Sequence, residues 1–170
     1  MPPEKIEAAH FSPDTREFIA GLHQHAVRYV IVGGEAVIFH GYARLTGDVD
    51  FYYERTEANA RALFAALTEF WAGEVPGIAA WTELLEDGVI FQFGRPPNRI
   101  DLLNAIDGVE FGEAWPTRLS VDMETGAETT KVVLHFLSLP SLLKNKEAAG
   151  RPKDLEDLRY LRRSAEESQR

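Results

Sequence analysis

The chain has no cysteine. That absence excludes disulfides, thiolate nucleophiles and cysteine-ligated zinc or iron–sulfur centres, so any metal must be taken by oxygen or imidazole. No apolar run approaches the roughly 18 residues of a membrane span. The first residues, with Glu4, Glu7 and His10, also lack the basic-then-apolar order of a signal peptide. A soluble, cytoplasmic protein with no membrane partner is the expectation. Positive charge is scarce, with 18 Lys and Arg against 27 Asp and Glu and a net charge of −9. Contacts along a phosphate backbone need clustered cations, so this balance argues against a broad nucleic-acid-coating surface while leaving room for a local basic patch. Internal repeats and low-complexity segments are missing too. What the chain does have is core material: 45% hydrophobic and 11% aromatic residues over 170 positions. That fits one domain spanning 1–170, with a C-terminal helical part at about 139–166.

Periodicity divides the chain into helices and strands. "SPDTREFIAGLHQHA" predicts a first helix, with Ser12 as N-cap, Pro13 at the first helical position and Phe18, Ile19, Leu22 and Ala26 on one face. A short strand, Tyr29–Val32, ends at Gly33-Gly34, and Glu35–Tyr42 then has a helical pattern. The second strand is predicted over Val49–Tyr53. "TEANARALFAALTEFW" predicts a helix capped by Thr56, with Ala60, Leu63, Phe64 and Leu67 as its stripe. Glycine and proline then punctuate a loop with a helical turn near Trp81–Leu85. Val89–Phe93 and Arg99–Leu103, separated by "GRPPN", predict a hairpin; "LSVDME" and "KVVLHFLS", separated by "TGAETT", predict another. Phe111–Trp115 is ambiguous. Two tail helices divide at Gly150, a stop, and Pro152, a start.

Asp48 and Asp50 flank the first residue of an apolar strand, Val49, Phe51, Tyr52 and Tyr53. Carboxylates beside a strand core are costly to desolvate, so the pair is either solvated at a strand end or compensated by a cation. Alternation puts both on one strand face, about 6.6 Å apart along the chain. Oxygen-only ligation of this kind suits Mg²⁺ or Mn²⁺, which complete their shells with water and substrate phosphates. Asp101, in the predicted strand "RIDLL", alternates with Arg99 and Leu103 and equally needs a partner; as a third carboxylate it would complete a two-metal site. Gly33 and Gly34 would let backbone amides approach a triphosphate, with the next helix offering its N-terminus. The five histidines, His10, His23, His25, His40 and His135, match no zinc spacing and are read as surface or packing residues. Arg159, Arg162 and Arg163 are read as a solvated helix face, and Trp71, Trp81 and Trp115 as core or rim aromatics.

A strand ending in Gly-Gly, a short helix, Asp-x-Asp at the start of the next strand and a later lone Asp together resemble the nucleotidyltransferase superfamily that includes DNA polymerase beta. "NKEAAGRPKDLEDLRYL" is similar to the tail of small bacterial and archaeal members, including the AbiEii-like group related to toxin nucleotidyltransferases. The resemblance implies an α/β nucleotidyltransferase fold, a mixed β-sheet flanked by helices with further helices at the C-terminus. It makes Gly33 and Gly34 the nucleotide-phosphate loop and Asp48, Asp50 and Asp101 the Mg²⁺ or Mn²⁺ ligands and catalytic acids. Arg44 and Thr46 fall in the "R-x-T-x-D-x-D" lead-in. Lys146, Arg151 and Lys153, with Asp154 and Asp157, match a recurrent tail pattern whose cations reach phosphates and whose acids hold those cations. Many relatives have serine after the first glycine; here Gly34 and Glu35 stand instead, which removes a hydroxyl and adds a negative charge nearby. The implied reaction moves a nucleoside monophosphate from a nucleoside triphosphate to an acceptor hydroxyl on a protein, a tRNA or a small molecule. The alternative is a module of the same fold that binds a nucleotide or a partner protein without turnover, as in a toxin–antitoxin-like pair. Haloacid-dehalogenase-type phosphatases and many glycosyltransferases place Asp-x-Asp after an apolar strand; here the apolar residues follow it, and both readings drop.

Overall fold

The computed structural model describes residues 1–125 and 131–170; most of the "TGAETT" turn, residues 126–130, lies outside the described residues. The described residues form a seven-stranded mixed sheet and six α-helices, an α/β fold. In chain order these are β1 (Lys5–Ile6), α1 (Pro13–Gln24), β2 (Tyr29–Val32), α2 (Gly33–Phe39), β3 (Asp48–Tyr53), α3 (Glu57–Phe70), β4 (Ile90–Phe93), β5 (Arg99–Leu103), α4 (Phe111–Ala114), β6 (Leu119–Met123), β7 (Val132–Phe136), α5 (Leu139–Ala149) and α6 (Pro152–Ser168). Two 3-10 segments, Ala8–His10 and Trp81–Leu85, complete them.

Local chemistry explains most boundaries. Ser12, Thr56 and Ser138 each accept a hydrogen bond from the backbone N–H three residues on, capping α1, α3 and α5. Gly150 ends α5 in the left-handed region, φ +63°, and Pro152 opens α6. Two boundaries differ from the sequence expectation in ways that matter for function. α2 begins at Gly33 and ends at Phe39, two residues earlier than expected at its start, so the glycines form its first turn. β3 begins at Asp48, placing both acids of the pair within the strand. β1, two residues long, is too short for any periodicity to reveal.

The strand order is β1-β6-β7-β2-β3-β5-β4. β2 and β3 are antiparallel, with Val32 opposite Asp50, whereas β3 and β5 are parallel, with Asp50 level with Asp101 and Asp48 level with Arg99. Both hairpins form, β4 against β5 and β6 against β7. Strand alternation sends Tyr29, Ile31, Val49 and Phe51 to a core covered by α1 and α3. Val30, Val32 and Tyr52 face the opposite core, with Leu142 of α5 and Leu161 of α6. Asp48 and Asp50 share the second face, at the end of the sheet that this core leaves uncovered.

Leu161 is fully buried beneath α6. Leu161→Ala is expected to cost about 2–5 kcal/mol in urea denaturation. If 1–170 is one cooperative unit, circular dichroism and tryptophan fluorescence will report coincident transitions in parent and variant, although Trp71 and Trp81 pack on the other face.

Candidate active site

Three carboxylates meet at the junction of β2, β3 and β5. Asp48, Asp50 and Asp101 each offer an oxygen within 4.8 Å of the other two, the group of metal-ligating type found among the described residues. At that separation each ionised pair repels by about 3 kcal/mol at an effective dielectric constant near 20. Something must offset this, and part of the answer is Arg99. Its Nη2 donates to Asp48 Oδ2 at 2.7 Å and Asp101 Oδ2 at 3.1 Å, and its Nε donates to Asp101 Oδ1 at 2.9 Å. Gln92, opposite Asp101 on β4, donates to the same carboxylate at 3.4 Å. Neither Arg99 nor Gln92 was singled out as a site residue. For Arg99 the signal was available, since it precedes Asp101 by two residues on one strand face.

Among the described residues Asp50 receives no such bond. Burial, followed by the charges of Asp48 and Asp101 and a hydrogen bond shared with Asp101, pushes its carboxyl up to about 7, with Arg99 opposing. A half-buried acid pressed by two others and with no ion pair of its own among the described residues is a donor set that a hard divalent cation would complete, so the residues present fit Mg²⁺ or Mn²⁺.

Gly33 is fitted to this acid. It has φ +64°, and a Cβ there would come within 2.1 Å of Asp50 Oδ2. A Cβ on Gly34 would meet Thr46 Oγ1 at 2.6 Å. Thr46 itself donates to the Asp48 carbonyl at 3.2 Å and to Asp48 Oδ1 at 3.3 Å. The space the two glycines leave is thus taken by the protein's own acid and hydroxyl, an addition to the phosphate-approach rationale that sequence supplied.

A cleft of about 350 Å³ opens beside the acids, lined by Gly33, Asp50, Gln92, Asp101, Lys146 and Arg151 among others. The tail cations do not all stand free in it. Lys146 is buried, with its ammonium 3.1 Å from both Asp154 and Asp157. Arg44 donates to both oxygens of Asp157, at 3.0 and 3.1 Å. Arg151 donates to Asp154 at 2.7 Å from Nε and at 3.2 Å from its backbone N–H. Burial pushes Asp154 up, but the hydrogen bonds from Arg151 and Lys146 outweigh it and hold the carboxyl below its usual range. This ion-pair chain ties the segment before β3 to α5 and α6. Arg44 is therefore engaged in the brace, while Lys153 is exposed.

Glu35 is turned elsewhere. Its buried carboxylate lies 2.7 Å from His10 Nε2, in a separate depression with Ile6, Phe39 and Phe136, so the charge expected beside the phosphate loop is taken up away from the cleft. His25 pairs with Glu69, His40 with the Leu137 carbonyl and His135 with Ser120, in surface and packing roles. Trp81 and Trp115 stack under Arg61 and Arg118 at the rim.

An α/β sheet with an acid triad at its open end and a glycine turn pressed against it defines a nucleotidyltransferase-like protein. Residues 15–162 match the family described as "Nucleotidyltransferase of unknown function (DUF6036)", and the chain belongs to that family. No curated protein matches it. No helix among the described residues is long and apolar enough to cross a membrane.

Two outcomes follow from this geometry. Asp50 holds its proton more tightly folded than unfolded, so folding takes up a proton between about pH 4 and about pH 7 and stability falls as pH rises through that window. Without divalent cations, urea denaturation is expected to show Asp50→Asn more stable than the parent at pH 8 and closer to it at pH 4. Asp157→Asn leaves Lys146 and Arg44 without their shared carboxylate and is expected to cost about 3–5 kcal/mol in the same assay.

Proposed function

We propose that the protein is an enzyme that transfers a nucleoside monophosphate from a nucleoside triphosphate to an acceptor hydroxyl with Mg²⁺ or Mn²⁺. The observation that carries this reading is the convergence of Asp48, Asp50 and Asp101 on one point, in a chain of a nucleotidyltransferase family. Asp48, Asp50 and Asp101 would hold the divalent cations. Bound there, such ions supply charge stabilisation on the phosphoryl oxygens and on the departing pyrophosphate.

The chain's own residues would do the rest. Gly33 and Gly34 bring the start of α2 against Asp50 and Thr46, and fix the backbone beside which the triphosphate would lie. Lys146 and Arg151 line the cleft and give its wall positive charge; Asp154 and Asp157 hold them there, which restricts their rotamers before substrate arrives. Arg44 supports that wall through Asp157, and exposed Lys153 is available to phosphates from outside. In the transfer, the acceptor oxygen forms a bond to the α-phosphorus as the bond to pyrophosphate breaks. The hydroxyl proton passes to a carboxylate of the triad, with Asp101 as its candidate acceptor.

The acceptor is a hydroxyl on a protein, a tRNA or a small molecule, and the net charge of −9 weighs against long nucleic acid. The alternative of a non-catalytic module that binds a nucleotide or a partner protein drew on Glu35 and on the missing serine after Gly33; the pairing of Glu35 with His10 takes away the first of these, and the intact acid triad weighs against the alternative.

Calorimetric titration of ATP, GTP, CTP and UTP, with and without Mg²⁺, tests the proposal. At least one triphosphate is expected to bind only with Mg²⁺, with binding lost in an Asp48→Asn, Asp50→Asn double variant, and labelled nucleotide should then identify the acceptor. Binding unaltered in the double variant would overturn the site assignment.

A further inference from the structure

Arg99 occupies a position that its role as a plain ion-pair partner does not explain. One guanidinium reaches both oxygens of Asp101 and one oxygen of Asp48, through bonds of 2.7 to 3.1 Å, and these are two of the three acids that would hold a divalent cation. Hydrogen bonding and coordination draw on the same oxygens. A dication seated among the three carboxylates would also bring two positive charges within a few ångströms of the guanidinium, and like charges that close repel strongly in a partly desolvated site.

The other cations around the cleft are differently placed. Lys146 is held by Asp154 and Asp157, and Arg151 by Asp154, none of which belongs to the triad. Among the described residues the triad's ion-pair partner is Arg99 alone. Its side chain keeps 29% of its surface exposed, so it is not locked in by packing. A planar guanidinium on a long stem is also well suited to exchange one set of planar oxygen acceptors for another, carboxylate for phosphate.

We propose that Arg99 is an exchangeable counter-ion of the metal site. It neutralises Asp48 and Asp101 while the divalent cation is away, and hands its hydrogen bonds to the phosphates of the incoming triphosphate as the cation enters. Metal and nucleotide loading are thereby coupled: the metal evicts Arg99, and the phosphates receive it. This rests on the triad being a metal site, as proposed above. It is opposed by a simple alternative in which Arg99 is a fixed strut that aligns the carboxylates for the metal. The two predict opposite signs, since removing a competing cation tightens metal binding and removing an aligning strut loosens it.

The test uses the full chain, Mn²⁺ alone, and then inorganic tripolyphosphate at saturating Mn²⁺, a probe that sets base preference aside. Parent, Arg99→Gln, Arg99→Lys and Asp50→Asn proteins are compared by Mn²⁺ electron paramagnetic resonance and calorimetry, after thermal melts establish that each is folded. Arg99→Gln is expected to bind Mn²⁺ about tenfold tighter and tripolyphosphate about tenfold more weakly, with Arg99→Lys between parent and Arg99→Gln on both axes. Weaker or unchanged Mn²⁺ binding in Arg99→Gln, or unchanged tripolyphosphate binding, overturns the exchange. Mn²⁺ binding lost in Asp50→Asn yet untouched in Arg99→Gln overturns the exchange alone. Mn²⁺ binding equal in parent and Asp50→Asn, or missing from both, overturns the metal centre and the exchange with it.

Discussion

Three carboxylates forced to one point at the end of a sheet impose the constraint around which the rest of this molecule is arranged. The β3–β5 register sets Asp50 level with Asp101 and Asp48 level with Arg99. Two acids therefore share one guanidinium while the third, Asp50, is left with a carboxyl raised to about 7 by burial and by its neighbours. Such an arrangement has no evident value for stability, because each acid costs desolvation and repulsion that an apolar residue would avoid. Under the proposed function its value would lie in what it attracts: a dication, and through the dication a polyphosphate.

The helices of the C-terminal part enter the same arrangement. α5 and α6 cover the sheet face that carries the acids, through Leu142 and Leu161, while α5 contributes Lys146 and the junction before α6 contributes Arg151 to the cleft wall. Those cations are themselves fixed by Asp154 and Asp157, and Asp157 reaches Arg44 in the segment leading into β3. A segment far along the chain thus braces the approach to the acid pair. Charge thus alternates around the cleft, from the acid triad through Arg99 on one side to Lys146 and Arg151 with Asp154 and Asp157 on the other.

Much of this was legible in sequence because it is local. The alternation of Asp48, Val49, Asp50 and Phe51 shows which face the acids take; Gly33-Gly34 marks the end of a strand; Gly150 and Pro152 divide the tail helices. The match over residues 15–162 agrees with the superfamily resemblance those motifs suggested. What was not legible depends on register and on contacts between distant segments. Nothing local says that Val32 faces Asp50, or that Asp101 stands beside Asp50 rather than one residue out of step, which would turn it into the opposite core. Glu35 looked like a charge near the phosphate loop because it follows the glycines. Its partner, His10, comes from an N-terminal 3-10 segment whose position only the assembled sheet determines. The tail pattern already offered Asp154 and Asp157 as acids that hold Lys146, whereas the pairing of Arg44 with Asp157 is visible only once α6 is packed.

Everything proposed for this site requires Asp48, Asp50 and Asp101 to hold a divalent cation together. Anomalous diffraction from crystals grown with Mn²⁺ and a non-hydrolysable nucleoside triphosphate tests it most directly. A manganese peak is expected at roughly 2.1 Å from carboxylate oxygens of the triad, with triphosphate oxygens in the same coordination shell. Manganese bound elsewhere, with the three carboxylates still gathered around Arg99 alone beside a bound triphosphate, would contradict it.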